Sequence, residues 1–180
     1  IQSVSTLAEQ FAMSIEDARK SLSLSKAALL QARESRIRPG TDDKVITAWN
    51  GMMIGAMALG YQITQDARYL EAAMQAADFI EQSLTRDGRL LRTWRDGKSQ
   101  LPGYLEDYAY LSEGLIELYE ASGKIKYLER AQSLARQMDT LFSDPEGGAL
   151  FSTAHDQEQL LIRKKESQDN ATPSDNAVAT

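Results

Sequence analysis

The stretch Val45-Ile46-Thr47-Ala48-Trp49-Asn50-Gly51-Met52-Met53-Ile54-Gly55-Ala56-Met57-Ala58-Leu59-Gly60-Tyr61 contains no Asp, Glu, Lys or Arg. A helix built from it is apolar on all sides, which places it inside a core. With 17 residues, Asn50 and several small side chains, it makes a poor membrane span. Thr64-Gln65-Asp66 follows as a short turn. The next segment carries Leu70, Ala73, Ala77, Ile80 and Leu84 at spacings of three and four, with Arg68, Glu71 and Glu81 on its other face. Together these form a hairpin with an inner, all-apolar limb and an outer, striped limb. Asp87-Gly88 then turns the chain into a short strand at Leu90-Leu91-Arg92-Thr93.

The same unit recurs. Tyr69-Leu70-Glu71 is matched by Tyr127-Leu128-Glu129, 58 positions on, and the strand by Leu150-Phe151-Ser152-Thr153, 60 positions on. The second unit has helices over 106–121 and 126–142, with Ser122-Gly123-Lys124 between them and Glu146-Gly147-Gly148 before its strand. Repeats of this period mean stacked helical hairpins. The expected fold class is therefore all-α: helical hairpin repeats forming part of an α/α solenoid or toroid, with short β-hairpin strands between hairpins. Gly51 and Gly55, one turn apart, suit close helix packing.

Outward from these units, Ser14 with Glu16 and Asp17 predicts the cap and first turn of a leading helix over 14–35. Pro39-Gly40 separates that helix from the hairpin units. Residues 1–180 read as a single partial domain: the leading helix, a first hairpin unit at 42–95, a second at 105–153, and the opening of a third at 173–180. The chain starts without Met and stops inside a helix-like run, so it reads as a fragment, inactive alone and prone to self-associate through uncovered hairpin faces.

Composition narrows the chemistry. The chain has 180 residues, a net charge of −6 and 42% hydrophobic residues, which suits a globular protein and not a nucleic-acid binder working by bulk charge. Cys is absent and His155 is the single histidine, so neither a thiolate nucleophile nor a Cys/His metal site is expected. No cofactor is expected, nor is membrane association. No signal-peptide pattern opens the chain, and the expected compartment is cytoplasmic.

The inner helices begin with carboxylates. Thr41-Asp42-Asp43-Lys44 leads into the first, Leu105-Glu106-Asp107-Tyr108 opens the second and Pro173-Ser174-Asp175-Asn176 the third. Such acids admit two roles. At helix starts they serve as caps and suit the dipole. Parallel inner helices would also gather these carboxylates around one cavity, at separations suited to acid–base work on a sugar. Asp43 and Asp107 are the preferred pair, with Glu106 as alternate. Trp49 and Tyr108 either stack on sugar faces or fill the core. Asn50 is either a satisfied core amide or a ligand contact. Arg163 and Lys165 form either a solvated loop or an anion-binding lip.

In order and spacing, Asp42-Asp43-Lys44 through Trp49-Asn50-Gly51, then Leu105-Glu106-Asp107-Tyr108-Ala109, Glu146-Gly147-Gly148 and the run Arg163…Lys165…Asp169…Pro173-Ser174…Asn176 resemble the thioredoxin-domain-containing, spermatogenesis-associated protein 20-like family. Asp175 and Ala177 stand where its pattern has Gly and Ser. The resemblance implies a piece of an (α/α)6 toroid, similar to N-acylglucosamine 2-epimerases and six-hairpin glycosidases, accompanied in the whole protein by a thioredoxin-like domain. Asp42, Lys44, Trp49, Asn50, Tyr108, Ser174 and Asn176 match the family's pattern and are, with Arg163 and Lys165, the candidate ligand-binding residues. The function expected is binding or processing of a carbohydrate, glycosidase- or epimerase-like if enzymatic. The alternative is a non-catalytic scaffold or protein-interaction toroid supporting the thioredoxin-like domain.

Overall fold

The computed structural model describes residues 2–158 and 161–180. It divides into two compact units, Ile1–Asp42 and Asp43–Thr180, where the sequence reads as one domain. The division falls in residues 36–44, which form no regular helix or strand and contain Pro39 and Gly40.

The first unit holds α1 (Val4–Gln10) and α2 (Ile15–Glu34). Ser14 caps α2 as its sequence predicts, its hydroxyl accepting from the Asp17 N–H at 3.0 Å. Helix α1 lies outside the elements expected from sequence.

The second unit holds the hairpins. Its elements are β1 (Val45–Ile46), α3 (Thr47–Thr64), α4 (Ala67–Ser83), β2 (Thr85–Arg86), β3 (Arg89–Arg95), β4 (Lys98–Pro102), α5 (Leu105–Ser122), α6 (Ile125–Phe142) and α7 (Asp175–Ala179). Two-residue links join α3 to α4 and α5 to α6. Gln65 and Gly123 take the left-handed conformation there and end the preceding helices. Helix α4 buries Ala73, Ala77 and Ile80. Helix α6 buries Tyr127, Ala131, Leu134, Met138, Leu141 and Phe142, again at spacings of three and four. The α4 stripe packs chiefly on α3 and the α6 stripe on α5, and one hydrophobic core results.

Helices α3 and α5 run parallel, because their contacts climb together. The Ala48 N–H meets Asp107, Gly51 lies against Tyr110 and Leu111, and Gly55 against Gly114 and Glu117. The backbones touch at this crossing. A Cβ on Gly114 would lie 2.2 Å from the Gly51 carbonyl oxygen. Gly60 differs: a Cβ there would meet only the Tyr69 ring, at 3.6 Å or more. Gly60→Ala is expected to stabilise the protein by roughly 0.5–1 kcal/mol, since alanine loses less backbone freedom in a helix. A thermal melt checks it, and a lowered melting temperature would show that the Tyr69 ring does not leave that room.

The all-α expectation needs correction. Four short strands form an antiparallel sheet in which β1, β2 and β4 all pair with β3. Asp87-Gly88 and Asp96-Gly97 have positive φ at both residues, the hairpin turn that Asp-Gly favours. The second strand expected at 150–153 is reduced to a single bridge between Ser143 and Leu150. Among the described residues, no helix is long and apolar enough to cross a membrane.

Candidate functional site

The first inner helix does not start at its aspartates. β1 intervenes, so Asp43 precedes α3 by four residues and cannot cap it. Its carboxylate instead pairs with Arg95 Nε at 2.7 Å, with both side chains about half exposed. Helix α3 consequently has no side-chain cap of its own.

Asp107 fills that gap. It is fully buried at the third position of α5. Its Oδ1 accepts from the Ala48 N–H of α3 at 2.9 Å, while Oδ2 accepts from the Tyr104 N–H at 2.9 Å and Arg92 Nη1 at 3.1 Å. One carboxylate thus ties the starts of both inner helices to β3. Burial pushes its pKa up to about 6, against the pull of Arg92 and the two N–H groups. Asp43 and Asp107 therefore do not face one cavity, and the predicted pairing is corrected. Each spends its oxygens on structure.

The cavity lies one residue away. About 470 Å³ of space opens between the start of α5, the start of α7 and the loop at 164–173. Tyr104, Glu106, Ser152, Lys164, Ser174 and Asp175 are among its walls. Glu106 is the predicted carboxylate that lines it, and it pairs with Arg92 Nη1 at 2.6 Å. Ser174 caps α7, accepting from the Ala177 N–H at 3.2 Å. The Ser152 hydroxyl is buried and has no hydrogen-bond partner among the described residues.

The other sequence candidates hold the scaffold. Tyr108 is fully buried, packs edge-on against Phe142 at 5.3 Å and accepts from the Leu90 N–H at 3.2 Å. It belongs to the core and not to a ligand. Trp49 is 62% exposed and lines no described cavity; Asn50 donates to the Ile46 carbonyl at 2.9 Å, at the start of its own helix. Arg163 stacks on Phe151 at 4.0 Å and donates to the Thr153 carbonyl. Lys165 pairs with Asp144 at 2.5 Å and donates to the Gly148 carbonyl, so these two cations brace the loop and form no open lip. Asn176 binds both backbone groups of Leu150, at 2.8 and 2.9 Å, and the Glu166 carbonyl at 3.0 Å. Lys44 lies beside Arg95 and Lys98 in a separate surface cleft. Asp42 falls in the first unit.

Sequence reasoning missed Ser152 and Glu166 as wall residues, and it read Asp175 among the helix-start carboxylates without choosing it as a site residue. Asp175 was within reach, because the rule that selected Asp43 and Asp107, a carboxylate at an inner-helix start, applies to it equally. Ser152 and Glu166 carry no comparable signal.

No family model matches the chain. Spermatogenesis-associated protein 20 of Homo sapiens is 36% identical over 188 residues, covering 98% of this chain and 24% of that protein. The chain thus spans about a quarter of the length of the curated relatives it matches. Among solved structures, a cellobiose 2-epimerase from Bacillus thermoamylovorans B4167 superposes with a TM-score of 0.58 at 16% identity, over 63% of this chain and 33% of that one. A GH76 alpha-mannanase from Bacteroides thetaiotaomicron gives 0.57 at 21% identity, over 65% and 34%. At such identities the likeness is one of fold: helical hairpins shared with about a third of each enzyme.

Proposed function

We propose that the cavity between α5 and α7 binds a saccharide or similar polyhydroxylated molecule, within a larger α/α toroid that the whole protein builds around this chain. The observation that carries the reading is the polar wall of that cavity, where Tyr104, Glu106, Lys164 and Asp175 surround about 470 Å³ of space. The cavity volume suits a small ligand. Kinship of fold with a cellobiose 2-epimerase and an alpha-mannanase supports the same class. Of the three candidate carboxylates, Glu106 is the one at the wall, and a general acid or base has to reach its substrate. In this reading Glu106 does the proton work, and Asp107 positions the two helix starts from behind.

A second reading, a non-catalytic scaffold, draws on the structural use of Asp43, Asp107 and Asn176. Titration calorimetry of the protein at its natural length against mono- and disaccharides separates the two. Saccharide binding is expected, and Glu106→Gln is expected to weaken it about tenfold, because the wall loses a charged acceptor for ligand hydroxyls. No binding by any sugar would remove the saccharide reading and leave the scaffold.

A further inference from the structure

A second cavity lies on the outer side of the hairpins. Helices α4 and α6 pack on α3 and α5 and not closely on each other, which leaves a groove of about 400 Å³ between them. Its floor is apolar, built by Ala77 and Ile80 of α4 and by Leu111 and Leu115 of α5. Two ion pairs cross it from α4 to α6: Asp78 to Lys126 at 2.8 Å and Glu81 to Arg130 at 2.9 Å. Each acid cancels a cation, and Glu129 adds one exposed carboxylate to the rim, so the groove offers an anion nothing. Tyr127 stands in the wall with 3% of its surface exposed. Its hydroxyl has no hydrogen-bond partner among the described residues. Burial and then the charge of Asp78 push the phenol's pKa up, while Lys126 pulls it down, so the hydroxyl lies at the Asp78–Lys126 pair. The Lys126 ammonium rests over the Tyr127 ring, 4.7 Å from its centre, and is spent on Asp78. Both members of that pair are about half exposed, and such a pair holds its side chains weakly, so it can swing aside to uncover the phenol. A native fold rarely leaves a buried donor unbonded, and this one lies in the wall of a space large enough for a small molecule.

We infer that the groove between α4 and α6 binds a neutral, largely apolar small molecule with one acceptor oxygen, a ketone in the simplest case, which accepts from the Tyr127 hydroxyl. Its hydrocarbon part lies on Ile80, Leu111 and Leu115. The apolar floor selects the hydrocarbon body, the cancelled rim charges select against ions, and the single orphaned donor selects one oxygen. This groove shares no lining residue with the cavity at Glu106, so the inference stands apart from the saccharide reading.

The test is a saturation-transfer NMR titration of the natural-length protein and of Tyr127→Phe with two probes, acetophenone and ethylbenzene, which share a carbon skeleton and differ in the oxygen. Both probes are expected to bind the unaltered protein. Tyr127→Phe is expected to weaken acetophenone about five- to tenfold, the worth of one neutral hydrogen bond, and to leave ethylbenzene unchanged. Its melting temperature is expected not to fall, because the lost hydroxyl bonds nothing in the fold. No binding of acetophenone, or an equal effect of Tyr127→Phe on the two probes, would overturn the inference. A lowered melting temperature or failure to fold would show that the hydroxyl is already bonded within the protein, to an enclosed water, and would overturn it too.

Discussion

Gly114→Ala is expected to cost the second unit about 3 kcal/mol or more and to lower its melting temperature by roughly 10 °C. The added methyl would sit 2.2 Å from the Gly51 carbonyl oxygen and 3.1 Å from its carbonyl carbon. Both are backbone atoms of α3, so no side chain can swing aside, and the two inner helices have to part. Ile54, Ala58, Leu111 and Leu115 lie along the same pair of helices in the core, and separation loosens their packing together. Gly51→Ala meets the same obstacle from the other side, 2.6 Å from the Leu111 nitrogen. Circular-dichroism melts of both variants beside Gly60→Ala read the effect directly. A loss under about 1 kcal/mol for Gly114→Ala would mean that α3 and α5 do not approach this closely.

The second large effect belongs to Asp107. Asp107→Ala leaves Arg92 without its buried partner and strips the Ala48 and Tyr104 N–H groups of their acceptor, for an expected loss of about 3–5 kcal/mol. Asp107→Asn keeps the shape but turns a donor toward either an N–H or Arg92, and is expected to cost about 2–3 kcal/mol. The pH dependence carries a distinct sign. Asp107 titrates at about 6 in the folded protein against the ordinary aspartate value of 3.8, so the folded state binds its proton more tightly than the unfolded chain does. Its contribution is then fullest below about pH 4 and falls as pH rises from about 4 to about 6, by up to roughly 3 kcal/mol. Chemical denaturation across about pH 4–7 should show this slope as a difference between the native protein and Asp107→Asn. Parallel curves for the two would contradict it.

The hairpins were legible because their signals are local. The spacing of Ala73, Ala77 and Ile80, the turn at Thr64-Gln65-Asp66 and the recurrence of Tyr-Leu-Glu each lie within a few residues of what they specify. Gly51 and Gly55 announced a close crossing, and the crossing is there. The strands were harder, since β1 hides inside an apolar run and forms only because β3 arrives more than forty residues later to pair Val45 with Trp94 and Ile46 with Thr93. β4 contains Lys98, Gln100 and Pro102, a composition that does not advertise a strand. Leu150 reads as a strand residue, yet its backbone groups go to the Asn176 side chain. The site followed the same division. That a carboxylate at the start of α5 mattered was readable; that Asp107 serves Ala48 across 59 residues, leaving Glu106 at the wall, depended on tertiary placement.

The Asn176 amide is a fastener between two walls of the cavity. By gripping Leu150 through both backbone groups and Glu166 through its carbonyl, it ties the loop side to the five residues of α7. Unwinding of that single turn would release Leu150 and Glu166 together, so the two walls depend on the same few bonds. A guest lodged in the cavity would disfavour that unwinding, and slowed amide exchange at Leu150, a residue outside the cavity wall, is its expected sign.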